Sequence, residues 1–233
     1  MSIVFVDLDG TLIPGPASEQ RFIARLVRRR VIGPAQMIAA VVFVARRWPR
    51  LGGDAVRRNK AYLAGLAVAE VARLAEGFVA DEIAPALRPE MTARIRRHHA
   101  RGDRVVLLTG APAFIARPTA ALIGAEAIIA SRCAEADGRF LAAPPTRHPF
   151  AEAKRALAAA SAAAAGTALA ACTAYADSRF DISLLGAVGQ AIAVHPDRAL
   201  ARTARQEGWE IIGIERERLA LRAARRFPSA PWL

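Results

Sequence analysis

The sequence predicts an α/β fold, a parallel-sheet core with an all-helical block inserted after the first strand. Three observations carry this. Ile3–Val6 is an uninterrupted apolar run near the start of the chain, the pattern of a strand covered on both faces. Short apolar runs recur at Val105–Leu108, Ala127–Ala130, Ala168–Ala176 and Gln190–Val194, with helical stretches between them. From Glu19 to about Leu87, apolar residues follow the helical period and show no strand alternation.

The chain has 233 residues, room for one sizeable domain or for a core plus a smaller insert. Hydrophobic residues make up 54% and charged residues 23%, which excludes a disordered chain. Cys133 and Cys172 are far apart and lack Cys-x-x-Cys spacing. Neither a disulfide framework nor a zinc site is expected, and a reducing compartment fits. Asp7 and Asp9 interrupt the first apolar run and no basic leader precedes it, so the protein is read as cytoplasmic. The formal charge is +12, and Lys60 and Lys154 are the only lysines among 33 basic residues. Such a surface attracts phosphorylated small molecules, anionic lipid or nucleic acid. The arginines are scattered and not interleaved with aromatics, so no specific nucleic-acid partner is expected. No motif speaks to oligomeric state.

In chain order, Ile13–Ala17 reads as a linker, with Ser18 the N-cap of a helix opening at Glu19. Further helices are expected over Ala35–Trp48, Ala55–Ala64 and Val68–Ile83, with a break at Gly52-Gly53. Val31–Ala45 carries no charge and is flanked by Arg30 and Arg46-Arg47. It is shorter than the ~20 residues that span a bilayer. It reads as a buried helix, or alternatively as an apolar face resting on an anionic membrane with arginines near the headgroups. A helix follows over Pro89–Arg101, whose adjacent His98 and His99 point about 100° apart and are read as surface residues. Asp137-Gly138 signals a two-residue hairpin. A helix after Pro149 contains Lys154 and an alanine-rich run that ends at Gly166. Gly208–Ile212 adds a short strand, and Glu215–Phe227 a basic amphipathic helix with a solvated face.

Four stretches carry chemistry. Asp7 and Asp9 stand at the carboxyl end of the first strand, where open α/β sheets bind ligands, and Gly10 supplies the turn that lets both face one site. Thr109-Gly110 ends the second strand, offering a phosphate oxygen a hydroxyl donor and nearby backbone N–H groups. Lys154 is a compact cation in a chain that otherwise prefers arginine, suited to a phosphoryl oxygen beside a carboxylate. Asp177 and Asp181 lie four residues apart where a strand runs into a helix. Packing these two acids with Asp7 and Asp9 demands a cation, and an oxygen-rich site open to water suits Mg²⁺. Individually, each stretch also has a plainer reading, as helix-capping acids, a loop entry or a solvated lysine.

Together and in this order, Asp7-Leu-Asp9-Gly-Thr11, Thr109-Gly110, Lys154 and Asp177-Ser-Arg-Phe-Asp181 resemble the four motifs of the haloacid dehalogenase-like phosphohydrolases. The context Arg104–Pro112, and Asp177–Asp181 followed by Leu184-Leu185, is similar to the phosphoserine-phosphatase-like branch, subfamily IB. The resemblance implies a Rossmann-like core, residues 1–14 and 88–233, with a helical cap at 15–87. It implies a Mg²⁺-dependent phosphate monoesterase in which Asp7 is the nucleophile and Asp9 the general acid/base. Thr109, Gly110 and Lys154 would hold the phosphate; Asp7, the Asp9 carbonyl, Asp177 and Asp181 would serve the metal. The implied substrate is a small phosphorylated alcohol such as phosphoserine. Glu19 is only an approximate match to the acid that holds the ammonium group in phosphoserine phosphatases. Alternatives are a phospholipid precursor resembling phosphatidylglycerophosphate, transfer of the phosphoryl group to another acceptor, or a non-catalytic basic binding module.

Overall fold

The computed structural model describes residues 2–213, so the helix expected over Glu215–Phe227 lies outside the described residues. β1 (Ile3–Val6) opens the chain and is buried throughout. The next stretch is helical, as its periodicity requires. It comprises α1 (Ser18–Arg28), α2 (Pro34–Leu51), the single turn α3 (Asp54–Arg57), a 3-10 turn at Ala61–Leu63 and α4 (Val68–Phe78), continued by a π-turn at Val79–Ile83. Then come α5 (Pro89–Ala100), β2 (Arg104–Pro112), α6 (Ala113–Ile123), β3 (Ala127–Ser131) and the hairpin of β4 (Glu135–Ala136) with β5 (Arg139–Phe140). The chain continues through α7 (Glu152–Ala164), β6 (Thr173–Ala176), α8 (Ile182–Leu185), β7 (Gln190–Val194), α9 (Arg198–Gln206) and β8 (Glu210–Ile212). Asp137 and Gly138 both take positive φ, 50° and 71°, as a tight hairpin of primed type requires.

The main sheet is parallel, in the order β3-β2-β1-β6-β7-β8. β1 lies between β2 and β6, so the strand order switches direction there, and the crevice outside its carboxyl end is a natural ligand site. Val6 is level with Leu107 on β2 and with Tyr175 on β6. The residues that leave these three strands next therefore emerge side by side.

Alternation along β1 divides the core into two layers. Val4 and Val6 face a layer built with α1, α4, α5 and α6, while Ile3 and Phe5 face one built with α7, α8 and α9. The helical insert is part of the first layer. Phe22 of α1 meets Phe78 of α4 at 5.3 Å and Phe114 of α6 at 5.4 Å, and Phe114 meets Phe140 of β5 at 5.8 Å. Aromatic contacts of this spacing add to the stability from area buried.

Four expectations are corrected. The Val31–Ala45 run is buried only at Ile32 and Phe43, while Ile38 and Val41 on α2 are 64% and 66% exposed. The aromatic layer is already closed by α1, α4 and α6, so the outer face of α2 has no apolar surface left to cover it. His98 is buried rather than on the surface, because Met91, Ile95 and His98 share the α5 stripe that faces the sheet. Its Nδ1 pairs with Asp103 at 2.9 Å and its Nε2 with the Tyr175 hydroxyl at 2.8 Å. The expected Ala55–Ala64 helix and Ala168–Ala176 strand are each split, with 3-10 turns taking Ala61–Leu63 and Leu169–Ala171.

Because Phe22 is fully buried between the insert and the core, Phe22→Ala is expected to cost about 3–5 kcal/mol. Urea unfolding monitored by circular dichroism checks this; a loss below about 1 kcal/mol would mean that the aromatic contacts do not tie the insert to the core.

Candidate active site

Asp7 follows β1 directly, its N–H donating to the Tyr175 carbonyl at 3.1 Å. The chain then folds back, with the N–H groups of Leu12 and Ile13 donating to the Leu8 carbonyl at 2.9 and 3.1 Å. Gly10, at φ 81°, permits this turn, and it has a second duty. A Cβ there would lie 1.9 Å from Asp177 Oδ2, so only glycine lets the acid on the β6 loop approach.

The turn sends the two acids to different partners. Asp7 Oδ1 faces Lys154 Nζ at 3.1 Å. Asp9 faces α1, accepting from the Ser18 N–H at 2.6 Å and from Ser18 Oγ at 3.2 Å. Ser18 therefore serves Asp9 and does not cap α1, whose cap position is Ala17. A serine at a helix start carries the same signal for either role, which is why the sequence did not reveal it. Burial lifts the Asp9 carboxyl above its ordinary range, against the lowering effect of the two Ser18 bonds.

Lys154 stands in the first turn of α7 and is buried, with Nζ 2.9 Å from Asp181 Oδ1. Although burial opposes its charge, Asp181 and Asp7 together raise its pKa. Carboxylate oxygens of Asp7, Asp177 and Asp181 all lie within 4.8 Å of one another. Burial pushes Asp7 up to about 8, with Lys154 opposing and the neighbouring acids reinforcing. Burial and then Asp181 push Asp177 up to about 7. One buried ammonium group does not neutralise three converging carboxylates, and an all-oxygen donor set suits a hard divalent cation such as Mg²⁺.

Thr109 Oγ1 accepts the Ala111 N–H at 3.1 Å, so its own proton is available to a ligand. Ser131 Oγ donates to the Gly110 carbonyl at 2.6 Å and lies 2.8 Å from His148 Nδ1. With its single proton committed, Ser131 must accept from His148, which fixes the Nδ1–H tautomer. Burial lowers His148 to about 4, keeping it neutral. This relay holds the Thr109-Gly110 loop in place, and the sequence reading had not singled out either residue.

Beside Asp9 and Gly110 opens a cavity of about 440 Å³, walled by Ile23, Met37, Ala40 and Phe150 among others. Glu19 reaches its rim but is already occupied. Its oxygens accept from Lys60 Nζ at 2.5 and 2.6 Å and from the Tyr62 hydroxyl at 2.7 Å. Lys60 is only 2% exposed. Its rarity was a legible signal, since the chain has just one other lysine. Arg57 stacks 4.9 Å above both Phe150 and Phe180, joining the insert to the loops that flank Lys154 and Asp181.

Two outcomes follow from this geometry. Asp7 and Asp177 ordinarily titrate near 3.8 and are raised by folding, to about 8 and about 7. The stability they contribute is therefore present below the ordinary value and lost as pH rises through 7–8. Metal-free protein should have a lower Tm at pH 8 than at pH 6, and Mg²⁺ should raise the Tm more at pH 8, as thermal unfolding would record. Gly10→Ala should push Asp177 aside and weaken Mg²⁺ affinity by about 10–100-fold, read by calorimetric titration; an unchanged affinity would exclude Asp177 from the metal site.

The comparisons with known proteins agree with this geometry. The family model for haloacid dehalogenase-like hydrolases matches residues 4–186. The "Inhibition of morphological differentiation protein" of Streptomyces azureus is 33% identical, over 97% of this chain and 82% of that protein. The "Phosphoserine phosphatase SerB1" of Mycobacterium tuberculosis is 30% identical, over 97% of this chain and 74% of that protein. A crystal structure of a protein of unknown function from Bordetella pertussis superposes with a TM-score of 0.75 at 30% identity, covering 91% of this chain and 97% of that one. With its acids, lysine and threonine gathered at the switch point of a parallel sheet, the chain belongs to the haloacid dehalogenase-like hydrolases and is a phosphatase of the phosphoserine-phosphatase-like kind.

Proposed function

We propose that the protein hydrolyses a phosphate monoester of an alcohol in the cytoplasm, through an aspartyl-phosphate on Asp7. The observation that carries this reading is the separation of the two motif acids, Asp7 on Lys154 and Asp9 on Ser18. The pairing of Asp7 with Lys154 supports a nucleophile's role for it, and Asp9, apart from it, is in a setting that favours its protonated form.

In the first step an Asp7 oxygen bonds to phosphorus while the bond from phosphorus to the alcohol oxygen breaks. Asp9 gives its proton to the departing alkoxide. In the second step Asp9 takes a proton from water, which attacks phosphorus and releases Asp7 and inorganic phosphate. Thr109, the Gly110 backbone and Lys154 hold the phosphoryl oxygens as charge spreads over them. Asp7, Asp177 and the Asp9 main-chain carbonyl would hold Mg²⁺, with Asp181 orienting Lys154 and the ion's water. When bound, the ion offsets the repulsion between phosphate and carboxylate. Residues 15–87 act as the cap that selects the alcohol, on a core of 1–14 and 88–233.

Phosphoserine is the substrate candidate supported by the relatives' names, but Glu19 is already paired with Lys60. A phospholipid-precursor substrate and peripheral contact with an anionic membrane gain support from α2, whose exposed apolar face is bordered by Arg46 and Arg47. Among the described residues no helix is long and apolar enough to cross a membrane.

Phosphate release should be measured from p-nitrophenyl phosphate, phosphoserine and phosphatidylglycerophosphate, with Mg²⁺ and with EDTA. Release should require metal and fall by at least about 1,000-fold in Asp7→Asn protein. Undiminished release by that variant would refute Asp7 as nucleophile, and a phosphorylated alcohol formed when acceptor alcohols are added would indicate phosphotransfer.

A further inference from the structure

The cavity beside Asp9 adjoins a second space along α2. Met37, Ala40 and Asn59 line the cavity, and the same three residues line this second groove on the outer side of α2, walled further by Val41, Val44 and Trp48. Each space is about 440 Å³, within the roughly 300–1,000 Å³ of pockets that hold drug-sized ligands. A serine moiety fills only a small part of that volume.

Where the two spaces adjoin, the shared residues offer a ligand little polarity. The Asn59 amide is spent on the protein, donating from Nδ2 to the Ala40 carbonyl at 3.0 Å and accepting the Ala61 N–H at Oδ1 at 3.1 Å. Two acids line the cavity and both already have partners: Asp9 accepts from Ser18, and Glu19 is paired with Lys60 and accepts from the Tyr62 hydroxyl. In the second space, Val41 and Trp48 remain 66% and 54% exposed, an apolar surface of the kind that marks a binding groove.

Resting on the phosphatase reading above, we infer that the cavity and the α2 groove form one subsite for an extended apolar chain. The substrate class is then a long-chain phosphate monoester, with its phosphate at Asp7 and its chain passing Met37 and Ala40 to lie along α2. A zwitterionic amino-acid phosphate is a poor fit, because its ammonium group would meet Glu19 already paired with Lys60 and the Arg57 cation that also lines the cavity.

The test is a chain-length series of butyl, octyl and dodecyl phosphate alongside phosphoserine, each below its micelle concentration. Two quantities are read: kcat/KM of the wild type with Mg²⁺, and calorimetric binding of the same phosphates to the Asp7→Asn variant. Both should strengthen with length, by roughly two- to fourfold for each methylene buried, with phosphoserine the poorest substrate. Val41→Asp, at an exposed position and shown to be folded by circular dichroism, should reduce the dependence on length. A flat series, or preference for phosphoserine, overturns the inference and leaves the phosphatase reading intact. Length-dependent binding with no phosphate release from any monoester supports the chain subsite and overturns the phosphatase reading. Neither binding nor release overturns both.

Discussion

The structure depends on placing Asp7, Asp177 and Asp181 together in a buried site around one ammonium group. Like charges at this distance repel strongly away from water, and burial alone raises the carboxyl pKa values. The arrangement is tolerable because Lys154 is buried between Asp7 and Asp181, and because the donor set matches a divalent cation. Such crowding disfavours the metal-free state and favours any ligand set that completes the charge balance. Much of the architecture can be read as what holds these acids in position against their repulsion.

The sheet supplies the first part of that restraint. The register that sets Val6 level with Leu107 and Tyr175 brings the ends of β1, β2 and β6 out together. Gly10 then lets the β1 loop fold back without a side chain striking Asp177. The helical insert supplies the second part. Ser18, the first residue of α1, holds Asp9 through both its N–H and its hydroxyl. Phe22, one turn later, anchors the same helix in the core through Phe78 and Phe114. The presentation of Asp9 is thus mechanically coupled to the insert, so movement of α1 would alter the acid's surroundings.

On the substrate side the electrostatics invert. At the catalytic end the protein leaves carboxylates short of cations, whereas at the cavity rim it pairs Glu19 with a buried lysine and a tyrosine hydroxyl. One end is therefore left acidic, while at the other Glu19 is already charge-paired. The Ser131–His148 relay steadies the Thr109-Gly110 loop through Ser131 Oγ and His148 Nδ1.

The amino-acid sequence by itself determined the strand-forming runs, the helical character of the insert, the Asp137-Gly138 hairpin and the identity of the motif residues. These are local properties: buried strands declare themselves by uninterrupted apolar runs, helices by period, turns by residues that accept positive φ, and the four motifs by spacing within a few residues. Only the tertiary structure decided that Ser18 binds Asp9 instead of capping α1, that Lys60 neutralises Glu19 across 41 residues, and that His98 is buried against Tyr175. It also decided that α2 shows its apolar face to solvent. Helical periodicity says which residues share a face, but whether that face is covered depends on how much apolar surface neighbouring elements have already used. A hydroxyl, a lysine or a histidine likewise has the same local signature whichever partner it finds, and the partner is chosen by packing between elements far apart in the chain.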